Sequence, residues 1–153
     1  MRARRRVDRA RIIGTLDERI QLHVAAKKVL DIMPELHPEL DIDIEALEHI
    51  RIGFLREPCG DLWGYCSYSS GGKRYATEYQ DRHRTHRILI SRVLLQDDPR
   101  QAFRTIHHEF LHAILGSAEG HGPIFKMHEE RFIEAAQMIG IRGGLMWKSP
   151  DFL

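Results

Sequence analysis

The sequence predicts an α+β domain, and three observations carry that reading. A capped, helix-periodic segment opens the foldable part of the chain, two-residue alternation marks its middle, and two further amphipathic segments close it. The 153 residues are 42% hydrophobic and 29% charged, which suits one soluble globular domain. No apolar run approaches the roughly 20 residues of a membrane span. The N-terminal arginines are not followed by the apolar stretch of a secretory signal. A cytoplasmic protein without a membrane partner is therefore expected. Cys59 and Cys66 agree with this, because six intervening residues are neither a metal nor a redox spacing.

Residues 1–11 hold six arginines (Arg2, Arg4, Arg5, Arg6, Arg9, Arg11) and one acid, Asp8. Such a segment cannot bury apolar surface and reads as a mobile basic arm, leaving 12–153 as a single domain. The arm carries +5, so the remainder of a chain with net charge +1 carries −4. Charge thus singles out the arm, and not the domain, for acidic partners.

Thr15-Leu16-Asp17-Glu18 has the form of a capping box. Leu16, Ile20, Val24, Lys27 and Leu30 follow at helical spacing, with Ile13 placed as a hydrophobic staple. A helix over about 16–33 is predicted, stopped by Pro34 and Pro38. A helical turn at Ile44–Leu47 precedes the strands. Ile50, Ile52 and Phe54 alternate with Arg51, Gly53 and Leu55; residues 62–68 are rich in aromatics; Arg87 to Leu94 is the most apolar run. Turn clusters at Glu57-Pro58-Cys59-Gly60-Asp61 and Ser69-Ser70-Gly71-Gly72 separate them, with a short extension at 75–79. A small antiparallel sheet is expected. Asp98 as N-cap and Pro99 at the first helical position then start the best-specified helix. Its core stripe is Phe103, Ile106, Phe110, Ala113 and Ile114, and Gly116 ends it in a left-handed turn. Pro123 opens a last helix, with Phe125, His128, Phe132, Ala135, Ala136 and Ile139 on its apolar face and Gly140 closing it.

The chemistry lies in His108-Glu109-Phe110-Leu111-His112. Positions i and i+4 of a helix share a face, so both imidazoles can address one cation, with Glu109 beside the first. Catalytic Zn2+ keeps three protein ligands and one open position. His121, nine residues after His112 and flanked by Gly120 and Gly122, is the leading third ligand. Glu130 or Glu134 of the following helix is the alternative. His107 cannot replace His108, because its i+4 residue is Leu111. The pattern predicts zinc-dependent hydrolysis of protein substrates: zinc lowers the pKa of water toward roughly 7, and Glu109 takes the proton and hands it to the leaving amine. The competing reading is a non-catalytic zinc module that binds nucleic acid or protein, in which Glu109 would have no task. His128, set between Phe125 and Phe132, reads as a hydrogen-bonded core histidine.

Taken together, His108-Glu109-Phe110-Leu111-His112-Ala113 and Gly120-His121-Gly122-Pro123-Ile124-Phe125 resemble the SprT-like metalloproteases, a family that includes the Spartan proteases acting on DNA–protein crosslinks. The resemblance implies a minimal zincin-like fold, zinc on His108, His112 and His121, and Glu109 as the catalytic residue. It is strong over roughly residues 85–132. Many members add a cysteine-rich zinc ribbon, which residues 1–153 do not contain. Contact with DNA is therefore expected from two other features. One is the arginine arm. The other is the segment Lys73–Arg92, whose Arg74, Arg82, Arg84 and Arg87 interleave with Tyr75 and Tyr79. Cations beside stacking aromatics hold single strands weakly and with steep salt dependence.

Overall fold

A computed structural model describes residues 13–57, 59–68, 86–116 and 120–141. The basic arm, the extension at 75–79 and most of the Lys73–Arg92 segment lie outside the described residues. Helix α1 spans Leu16–Leu36 and α2 spans Ile44–Glu48, with a 3-10 turn at Pro38–Leu40 between them. Strands β1 (Arg51–Phe54), β2 (Gly64–Tyr68) and β3 (His86–Ile90) follow, then α3 (Arg92–Asp97), α4 (Pro99–Leu115) and α5 (Pro123–Ile141).

Local chemistry sets the helix starts. The Thr15 hydroxyl accepts from the Glu18 backbone N–H at 3.1 Å, and the Thr15 N–H donates to Glu18 Oε1 at 2.8 Å, the expected reciprocal cap. Asp98 accepts from the Gln101 N–H at 3.3 Å at the head of α4. Two expectations for α1 are corrected. Pro34 does not stop it. The missing N–H falls in the last turn, and the chain leaves the helix only at His37, which Pro38 forces out of helical geometry. The buried face is also different. Leu22, Ala25, Ala26, Val29, Leu30 and Met33 are buried, whereas Leu16 and Ile20 are exposed. Helix α1 packs against α4, and the face carrying the small Ala25 and Ala26 is the one it buries.

The sheet is mixed, not antiparallel. Its order is β1-β3-β2, with β1 parallel to β3 (Ile52 opposite Ile88) and β2 antiparallel to β3 (Cys66 opposite Ile88). The most apolar strand takes the centre, where both its edges are paired and Ile88 and Ile90 are fully buried. β3 also ends earlier than its apolar run suggests. The Ser91 hydroxyl accepts from the Leu94 N–H at 3.4 Å, and Arg92–Asp97 coils into α3. Arg92 ties this corner to α1 by bonding Glu18 and Glu57, each at 3.1 Å.

Helix α4 is the hub, packed by α1, α3, α5, β2 and β3. Phe103, Ile106, Phe110 and Ala113 face the core as predicted. Gly116 ends it with φ 82° and ψ 169°. This is not the left-handed turn expected, but an extended positive-φ state that essentially only glycine adopts. Helix α5 runs through Gly140 to Ile141 rather than closing there.

Candidate metal centre

The packing of α4 places His108 and His112 one turn apart on the side that faces away from its apolar stripe. Gly120, at φ 57°, turns the chain so that His121 comes over them. The three Nε2 atoms converge: His108 to His112 3.2 Å, His112 to His121 3.0 Å, and His121 to His108 3.2 Å. Phe125 of α5 forms the floor, with ring centroids 4.6–5.0 Å from all three imidazoles. Glu130 and Glu134, the alternative ligands, are exposed and stand outside this cluster.

The donor set fits a divalent cation. His108 Nδ1 donates to the Glu129 carboxylate at 2.5 Å, the tautomer that leaves Nε2 of the neutral ring with its lone pair. An imidazole Nε2 has one in-plane site, which holds either a proton or a lone pair. Three such atoms therefore cannot satisfy one another by hydrogen bonding. Burial, and then His108 and His121, lower the His112 pKa to about 4, keeping that ring neutral. Three nitrogens on zinc at 2.0–2.1 Å in tetrahedral geometry would be about 3.3 Å apart, close to the spacing here. The carboxylate on a ligating histidine's second nitrogen is the usual support of such a site.

Glu109 is 5% exposed, and its carboxyl is pushed up to about 7 by burial first and the Glu129 charge second. Strand β2 crosses directly over it. A Cβ on Gly64 would lie 2.9 Å from Glu109 Oε2 and 2.5 Å from Thr105 Cγ2, so only glycine permits this approach. Cys66 on the same strand is a free thiol, raised to about 12 by burial and by Glu109. Asp61, Trp63, Arg104, His108, Glu109 and Glu129 border a cleft of about 560 Å³, which reaches the triad at His108. Neither Glu129 nor Gly64 belongs to a motif that the sequence displays. Glu129 could have been found, since it lies one turn beyond Phe125 on the same face.

A family model described as the SprT-like family matches residues 46–142. The chain belongs to the SprT-like family. No curated protein and no solved structure matches it significantly. The matched span of this SprT-like chain includes all three histidines, Glu109, Gly64 and Glu129. Membership gives a domain of the metallopeptidase type, and the histidine triad is a site that can hold a metal ion. Among the described residues no helix is long and apolar enough to cross a membrane. Of the cations expected to meet DNA, Arg92 is engaged by Glu18 and Glu57, whereas Arg87 is exposed.

Proposed function

We propose that this chain is a zinc-dependent peptidase that hydrolyses protein substrates with Glu109 as general base. The observation that carries the proposal is the pairing of a buried carboxyl, poised at about 7, with an adjacent three-histidine centre, the carboxyl and His108 both lining a cleft. His108, His112 and His121 would hold the ion. When bound, zinc supplies Lewis acidity, polarising a carbonyl and lowering the pKa of water toward about 7.

The chain's own residues perform the remaining work. Glu109 takes a proton from the attacking water as the C–O bond forms, holds it on its carboxylate, and delivers it to the amine nitrogen as the C–N bond breaks. A carboxyl near neutrality suits both halves of that transfer. Glu129 keeps His108 in the Nδ1–H tautomer. Strand β2 has no second neighbour among the described residues, so its outer edge suits an extended substrate segment added as a further strand beside the cleft. Glu109 also argues against a non-catalytic zinc module, which needs no buried base. Association with single-stranded DNA through the N-terminal arginines and the Lys73–Arg92 segment is a second part of the proposal. It predicts weak binding that falls steeply with salt, and salt-independent binding would contradict it.

The test is cleavage of an unfolded protein such as casein by the purified chain. Chelation is expected to abolish cleavage and stoichiometric zinc to restore it. Cleavage that survives complete metal removal would refute the proposal.

A further inference from the structure

Three histidines outside the metal centre form a second, fully buried constellation. His37 follows the last turn of α1, His107 lies in α4 and His128 in α5, and they are 0%, 0% and 1% exposed. His37 Nε2 is 2.8 Å from His107 Nε2, and His37 Nδ1 is 2.9 Å from His128 Nδ1. His37 thus uses both nitrogens and bridges the two helices. His107 stacks on Phe132 with centroids 4.1 Å apart, and its Nδ1 is buried without a partner.

A neutral imidazole has one N–H and one lone pair, so His37 donates to one of these partners and accepts from the other, and a single residue completes both bonds of the bridge.

The two ends of the bridge adjoin the metal centre. His107 precedes His108, and His128 precedes Glu129. Consecutive helical residues point about 100° apart, so each pair sends one side chain to the core and one toward the cleft. α4 and α5 are therefore joined twice at the same level: by the 2.5 Å bond from His108 to Glu129 at the site, and by His107–His37–His128 behind it. The bridging residue is itself anchored. The His37 backbone N–H donates to the Met33 carbonyl at 2.8 Å. One turn along α5, Arg131 donates to the Leu36 carbonyl at 3.1 Å and bonds Glu39 at 2.8 Å. Apolar side chains could fill this volume without desolvating three imidazoles, so packing alone does not account for the choice.

We propose that His37 is a positioning residue for the metal centre. It holds α4 and α5 at the separation where Glu129 accepts from His108 Nδ1, and so keeps the His108 Nε2 lone pair aimed between His112 and His121. The inference rests on the reading of the triad as a metal site.

The test measures zinc affinity by competition with a chromophoric chelator, below the Tm of each variant. His37→Leu is expected to weaken zinc about tenfold, the lower end for a residue supporting a ligand. His37→Gln is expected to remain close to wild type, because its amide can accept from one of the two histidines and donate to the other. Leu47→Ala, a buried change in α2, is expected to lower Tm without weakening zinc. In the Glu129→Gln background, His37→Leu is expected to add little further loss, since both act through one bond. If His37→Leu does not fold, His128→Phe carries the test with the same expected loss. Wild-type affinity in the folded His37→Leu or His128→Phe protein would overturn the proposal, as would an equal loss in Leu47→Ala. A wild-type chain that binds no zinc would instead remove the metal reading itself.

Discussion

Gly64→Ala isolates the contact between strand β2 and the Glu109 carboxyl. Gly64 has an ordinary strand backbone, so alanine is unstrained and, by restricting the unfolded chain, would contribute about 0.4–1 kcal/mol of stability. The space does not allow it. The new Cβ meets Thr105 Cγ2 at 2.5 Å and Glu109 Oε2 at 2.9 Å. Thr105 is buried inside α4 and has little room to yield, so β2 or Glu109 must move. Overpacking of this kind costs about 1–3 kcal/mol. The net expectation is a loss of about 1–2 kcal/mol, roughly 2–8 °C in Tm. Activity should suffer more than stability, because a shift of about 1 Å in a catalytic group costs on the order of 100-fold. Zinc content should be unchanged, since Glu109 stands outside the three-histidine group. Gly53→Ala is the control on the same sheet. Its Cβ would meet only Leu89 Cδ2 at 3.7 Å, an ordinary contact, so Tm and cleavage should hold or rise slightly. Thermal melts, zinc content and casein cleavage on the two variants decide the matter. A Gly64→Ala protein with wild-type Tm and wild-type kcat/KM would refute the geometry described for Glu109.

Two further predictions concern protons. The metal-free protein should lose stability as pH falls from about 6.5 toward 4. His37 and His112 are lowered to about 4 and His128 is lowered too, all chiefly by burial. A histidine with a depressed folded pKa contributes fully above its unfolded value and loses that contribution as pH drops toward the folded one. A Tm of the metal-free protein that is flat from pH 7 to 4.5 would contradict this. The acid limb of kcat/KM should report Glu109 at or below about pH 7, since the bound cation draws the value down. Glu129→Gln should shift that limb lower still by removing a neighbouring negative charge, and should weaken zinc about 10–100-fold by releasing His108. An unmoved limb with unchanged zinc affinity would remove Glu129 from the site.

What the sequence made legible was local. The Thr15–Glu18 and Asp98–Gln101 caps depend on residues three apart, and the structure starts α1 and α4 where those residues stand. The His108–His112 pairing is likewise a property of helical spacing. What was not legible depends on docking. Helix α1 has two apolar faces, and only its docking against the rest of the domain selects Leu22 and Ala25 over Leu16 and Ile20. The parallel pairing of β1 with β3 is set by which strand takes the centre of the sheet, not by any turn. The apolar run after His86 continues past Ile90, but the Ser91 hydroxyl converts its end into a helix. Glu129 and Gly64 reach the site from α5 and β2, and His37 meets partners 70 and 91 residues away. No local pattern encodes those meetings.

The central claim is that three histidines hold a metal whose use in hydrolysis depends on Glu109. Metal content and casein cleavage, measured on the same preparations of wild type and Glu109→Gln, test it most directly. One zinc per chain is expected in both proteins, with a loss of cleavage of about 100- to 10,000-fold in the variant. Comparable cleavage by both proteins, or no zinc in either, would contradict it.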